Sequence, residues 1–154
     1  MAKHNEQKKE HQKPIIIAVV AVVVVVLAIF GYRKFVMEPR EAEAQESLFH
    51  AEKLFEKDDY ATALNGDGNF AGFLDIINDY GNTKAGNLAK YYTGICYLNI
   101  GEFDNAVKYL SSYKGKDQLV KPMAVGAMGD AYMELDNVAE AAKCYEKAAK
   151  ESKN

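Results

Sequence analysis

Hydrophobic and polar positions divide the chain sharply. Residues 15–30 read IIIAVVAVVVVVLAIF without one charged or polar side chain, and Gly31 and Tyr32 extend the run to 18 residues. At roughly 1.5 Å per residue a helix of that length measures about 27 Å, close to a hydrocarbon core of about 30 Å. Val and Ile are mediocre helix formers in water. In lipid, however, every backbone N–H and C=O must be paired within the segment, and a lone segment achieves that as a helix. A soluble core helix would alternate apolar and polar faces, whereas this run is apolar all round. A transmembrane helix is therefore predicted over residues 14–36. The polar, charged stretch 1–13 lacks aromatic residues and reads as a disordered tail. A linker or helix continuation is expected at 37–43, where Glu38-Pro39 should kink or interrupt the helix. A cleaved secretory signal would have a shorter apolar region ending in small residues spaced A-x-A, but this run ends in Gly31-Tyr32-Arg33-Lys34-Phe35, and no cysteine lies near its end to carry a lipid.

From Glu41 a helical period resumes, with Leu48, Ala51, Leu54 and Phe55 spaced as one apolar face. Beyond it the chain repeats itself. Gly94-Ile95-Cys96-Tyr97 superposes on Gly129-Asp130-Ala131-Tyr132 at an offset of 35, which also brings Ala106 onto Ala141, Leu110 onto Tyr145 and Tyr113 onto Ala148. Small residues at Gly94, Ala106, Gly129 and Ala141 would let two antiparallel helices approach closely, while Tyr97, Leu110, Tyr132 and Tyr145 fill the space between them. Gly101 suits the C-terminal cap of the first helix, and Asp104 or the residues before it the start of the second. A degenerate earlier unit has Ala51 and Leu54 in the Gly and Tyr positions. Its second helix is interrupted by Asn65-Gly66-Asp67-Gly68-Asn69 and should resume near Phe70 and end near Tyr80.

This pattern resembles the tetratricopeptide repeat, with its period of about 34 residues and its L-G-x2-Y then A-x3-F skeleton. The resemblance implies an all-α fold: an N-terminal transmembrane helix followed by a short α-solenoid of antiparallel helix pairs. The repeat domain would occupy 44–154, with a degenerate unit at 44–82 and further units at 84–118 and 119–152. It also implies a protein- or peptide-binding groove on the first helix of each pair. Carried over by register, that groove is lined by Leu48, Glu52 and Phe55, then Leu88, Tyr91, Ile95 and Leu98, then Met123, Asp130 and Met133.

Charge is segregated along the chain. Residues 1–40 carry 7 basic and 3 acidic groups, and 41–154 carry 12 and 19. An acidic body gives no electrostatic reason to bind nucleic acid, which requires clustered Lys and Arg. Lys3, Lys8, Lys9 and Lys13 before the apolar run stand against Arg33, Lys34 and Arg40 after it, which leans towards an N-terminus inside.

The residue types that carry chemistry are sparse and scattered. His4, His11 and His50 form no H-E-x-x-H motif or triad order, and His50 reads as a helix-surface residue. Cys96 and Cys144 are too few and too far apart for a zinc site, and read as buried free thiols. Asp67, Asn69 and Gly72 occupy positions 1, 3 and 6 of a calcium loop, but Ala71 and Asn78 stand at 5 and 12, so an interhelical loop is expected. No enzyme, metal or cofactor is predicted.

The order of tail, anchor and acidic repeat domain resembles the YfgM-like family, ancillary subunits of the bacterial SecYEG translocon. The segment 76–89, IINDYGNTKAGNLA, looks like that family's linker between repeats, although Gly81 stands where Pro is common. The resemblance implies a bacterial inner-membrane protein with a cytoplasmic N-terminus and a periplasmic domain that binds translocon-associated chaperones or emerging chains. The other function class is structural, in which anchored domains self-associate within an envelope assembly.

Overall fold

The computed structural model describes residues 2–152, with side chains from Pro14 onward. The chain falls into two compact units, Met1–Pro39 and Arg40–Asn154.

In the first unit, α1 spans Ala2–Tyr32. It begins within the polar stretch where an irregular tail is predicted. The Ala, Glu, Gln and Lys of that stretch are good helix formers, and no Gly or Pro interrupts them before Pro14. The side chains of the apolar run are all exposed, from Ile15 at 62% to Phe30 at 67%. By length and composition this helix is apolar enough to cross a membrane. A π-helical turn follows over Arg33–Met37, closed by the Glu38 amide bonding to the Arg33 carbonyl. Of the linker and the helix continuation expected at 37–43, the structure has the continuation, and Pro39 does not break it. Pro39 lies in the first turn of α2 (Glu38–Phe55), and the widened turn just before it accommodates a ring that would press on a preceding carbonyl.

In the second unit three helix pairs follow one another. After α2 come the short α3 (Tyr60–Asn65) and α4 (Phe73–Tyr80), then α5 (Lys84–Asn99) with α6 (Phe103–Ser112), and α7 (Val120–Glu134) with α8 (Val138–Glu151). The interruption predicted in the first pair separates α3 from α4. Asp67 organises it by accepting the amides of Asn69 and Phe70, each at 2.9 Å. Its carboxylate is therefore committed to the loop's own backbone, which holds it below the usual carboxylate range.

Close approach within the second and third pairs comes from a glycine, where the first pair has the buried Ala51. A Cβ on Gly94 would lie 2.4 Å from Cγ of the buried Leu110, and one on Gly129 would lie 2.6 Å from Cε1 of Tyr145. Two cores result. One joins Ala44, Leu48 and Ala51 of α2 to Leu64, Phe73, Ile76, Ala89 and Cys96. Phe73 stacks on Tyr92 with centroids 5.2 Å apart, and Phe55 meets both rings edge-on. The second core joins Tyr91, Ala106 and Leu110 to Ala124, Ala127 and Ala131 of α7. Cys96 and Cys144 are buried and unpaired, and burial pushes the Cys96 thiol up to about 12.

All three pairs turn on the same device. The Gly101 amide bonds to Leu98 O and the Glu102 amide to Tyr97 O, with Gly101 in the left-handed region at φ 83°, a Schellman cap. The bonds recur from Asp136 to Met133 and Asn137 to Tyr132, and from Asp58 to Phe55 and Asp59 to Leu54, with Asp136 and Asp58 at φ 57° and 59°. Leu54, Tyr97 and Tyr132 are thereby equivalent, which fixes the register of the degenerate first unit. A second device ties that unit to the next. The Glu41 carboxylate accepts the amides of Lys84 (2.6 Å) and Ala85 (3.1 Å), while Thr83 Oγ1 accepts that of Gly86 (2.9 Å). The free donors of the first turn of α5 are therefore satisfied, two of them by a side chain of α2.

Non-glycine residues lose roughly 1–2 kcal/mol in the left-handed region. Asp136→Gly should therefore raise the denaturant midpoint of unfolding, and Gly101→Ala should lower it by a comparable amount. For Glu41→Ala, the lost double cap should cost about 1–2 kcal/mol, read as a lower thermal midpoint with unchanged helical content by circular dichroism.

Candidate functional site

The first helices of the three pairs, α2, α5 and α7, carry the residues that the repeat register assigns to a groove, and the structure sorts them by depth. Leu48 and Tyr91 are buried, 6% and 8% exposed. Leu48 belongs to the core beneath α2, and Tyr91 to the core that α7 covers. Neither lines an open groove as the register implies, because the next helix in the stack lies over each. Glu52, Phe55, Leu88, Ile95 and Leu98 are half-buried. Phe55 is packed against the first core, and Leu88, Ile95 and Leu98 against the second. Met123 and Met133 are 49% and 45% exposed, and Asp130 between them is exposed as well.

Polar contacts at this surface are few. Tyr92 hydrogen-bonds to Glu52, and its hydroxyl is pushed up to about 12, first by burial and then by that carboxylate's charge. At the other end, the Tyr145 hydroxyl donates to Asp130 Oδ1 at 2.8 Å, and among the described residues no cation pairs with Asp130. The surface is thus half-buried aliphatic and aromatic on α2 and α5, and exposed methionine with an unneutralised carboxylate on α7. Such a surface can bind by apolar contact with acidic punctuation, and it presents no nucleophile paired with a base.

Sequence reasoning missed three features. Phe70, at the tip of the loop after α3, stacks on His50 at 3.8 Å, and Phe49 meets the same imidazole edge-on, so His50 lies under an exposed aromatic patch. A cavity of about 330 Å³ opens between α6, α7 and α8, where Lys143 pairs with Glu140 beside Cys144. Val138 and Tyr145, on α8, are 61% and 41% exposed. The last was signalled by the repeat itself, since Tyr145 stands where Leu110 is buried.

Neither the curated proteins nor the solved structures give a match to this chain. Two of its segments, residues 88–117 and 124–154, each match a tetratricopeptide repeat family model. They coincide with the α5–α6 and α7–α8 pairs, so the chain carries tetratricopeptide repeats within an all-α fold.

Proposed function

We propose that this chain is a membrane-anchored protein-binding module, held by α1 and binding partner proteins or peptides through the face of α2, α5 and α7. The observation that carries the reading is the depth profile of that face: apolar side chains left half-buried or exposed along successive first helices, ending in Met123 and Met133. Tetratricopeptide repeats point to protein partners in general. The exposed apolar run 15–30 of α1 supports the anchor, since a surface of that size has no stable place in water. Anchoring raises the local concentration of the domain at its membrane partner.

In its finer form the proposal is an accessory of envelope protein translocation, N-terminus cytoplasmic and repeat domain periplasmic. It is supported by the likeness of segment 76–89 to the YfgM-like linker and by the four-to-three basic count across α1.

A photo-crosslinking residue placed at Leu98 or Met133 of the full chain in its native membranes should give discrete protein adducts. The same residue at Ala61, exposed on α3, should give none. Adducts of equal yield at all three positions, or at none, would remove the assignment. Reporter fusions to each terminus test the orientation, with activity of a periplasm-dependent reporter expected only at the C-terminus.

A further inference from the structure

The three pairs are quasi-equivalent, so the structure contains a template for the face of α7 and α8 that no further helix covers among the described residues. On the α5–α6 pair, Tyr91 and Leu110 are buried, and Leu88, Ile95, Leu98, Phe103 and Val107 are partly buried, in the core to which α7 contributes Ala124, Ala127 and Ala131. The offset of 35 maps this surface onto the last pair. There Met123 replaces Leu88, Met133 replaces Leu98, Val138 replaces Phe103 and Tyr145 replaces Leu110. The replacements are 49%, 45%, 61% and 41% exposed. The surface that a helix covers on one pair is presented uncovered on the next.

Two substitutions change its complement. Gly126 stands where Tyr91 stands one unit earlier, and a Cβ built on it meets nothing within 4 Å. The centre of the surface is therefore a notch, where the template has a ring. Asp130 stands where Ile95 stands, with Glu134 one turn further on, and among the described residues no salt bridge reaches either.

We propose that the face of α7 and α8 takes a single α-helix of a partner protein, one with a small-residue seam like that of α7, a large apolar side chain that fills the notch at Gly126, and Lys or Arg directed at Asp130 and Glu134. Charge separates this occupant from a second copy of the chain. Parallel face-to-face pairing of two α7 helices would bring Asp130 and Glu134 against their own equivalents, a like-charge contact, and antiparallel pairing would offer them only the one lysine of α7, Lys121, which already pairs with Glu151. Stacking in line would offer the exposed side of α2, where Glu43 and Glu46 add more acid. The inference rests on the protein-binding reading above and adds the form of the ligand.

The probe is a stapled helical peptide with the chain's own residues 118–136, carrying Asp130→Lys, Glu134→Lys and Ala127→Phe at the centre of its seam. Binding is followed by fluorescence anisotropy to the full chain in lipid nanodiscs, with empty nanodiscs as the blank. Saturable binding is expected, weakened about tenfold or more by Met133→Asp with Val138→Asp in the protein. Gly126→Tyr in the protein tests the notch without disturbing the fold, because the position is open. It should weaken the phenylalanine peptide about tenfold while favouring a peptide that keeps Ala127, a reversal of preference that general stickiness would not produce.

Absence of saturable binding, or binding indifferent to Gly126→Tyr, would overturn the inference. So would a concentration-dependent dimer in sedimentation that Met133→Asp dissolves, which would assign the face to a second copy. Crosslinks at Leu98 without peptide binding would defeat this inference and leave the protein-binding reading standing.

Discussion

Two antiparallel helices enclose a core this small where one of them keeps little or no side chain at the crossing, Ala51 in the first pair and glycine in the other two, and the rest of the domain depends on that concession. Gly94 yields to Leu110 and Gly129 to Tyr145, with less than van der Waals room for even one methyl group. Interiors packed at crystal-like density transmit such constraints outward. With the spacing within a pair fixed, the alanines of α7 reach Tyr91 and Leu110 of the preceding pair, and the two cores are continuous through α5. Overpacking typically costs about 1–3 kcal/mol, against total stabilities of about 5–15 kcal/mol, so a methyl at either glycine would draw on the whole stack.

Because every pair turns through the same Schellman cap, the stack has a direction, and among the described residues no further helix covers its last pair. The first two first helices are each covered by the next one, so the equivalent Leu48 and Tyr91 are buried, whereas Met123, which stands where Leu88 is half-buried, is exposed on α7. The start of the stack is secured differently, by the Glu41 carboxylate at the N-terminus of α5 and by Arg40 and Glu43 at Tyr80. The Glu41 contacts tie the beginning of the repeat domain to the second pair, and those of Arg40 and Glu43 tie it to the end of α4. The two ends differ: one is locked by polar contacts, and on the other apolar side chains and the carboxylates of Asp130 and Glu134 are exposed, the asymmetry on which the proposed function rests.

Much of this was legible in the sequence because the governing distances are short. The apolar run, the offset of 35 and the glycine opposite Leu110 are all local or periodic: the run is helical, the offset superposes the second and third pairs, and Gly94 meets Leu110. Depth was not legible. Leu48 and Tyr91 share the helical positions of groove residues, yet whether such a position is open depends on the next helix, which the register of a single helix does not encode. Glu41 was invisible for a similar reason, since its partners lie 43 and 44 residues away. Gly126 was passed over because it has no side chain to nominate, although its mismatch with Tyr91 is the signal that carries the notch. Asp136 and Asp58 occupy a left-handed site where the sequence offers glycine only once in three units.

The claim that α7 presents an occupied binding surface is tested most directly by oxidative footprinting of the methionines. Met123 and Met133 are exposed, whereas Met128 is partly buried against the second core and serves as the internal reference. Conversion to the sulfoxide reports solvent access at each sulfur. In the purified chain in nanodiscs, Met123 and Met133 should oxidise several-fold faster than Met128, by roughly the ratio of their accessibilities. In native membranes both should be protected to the level of Met128 while Met128 itself is unchanged. Equal oxidation of Met123 and Met133 in the two preparations would contradict the account.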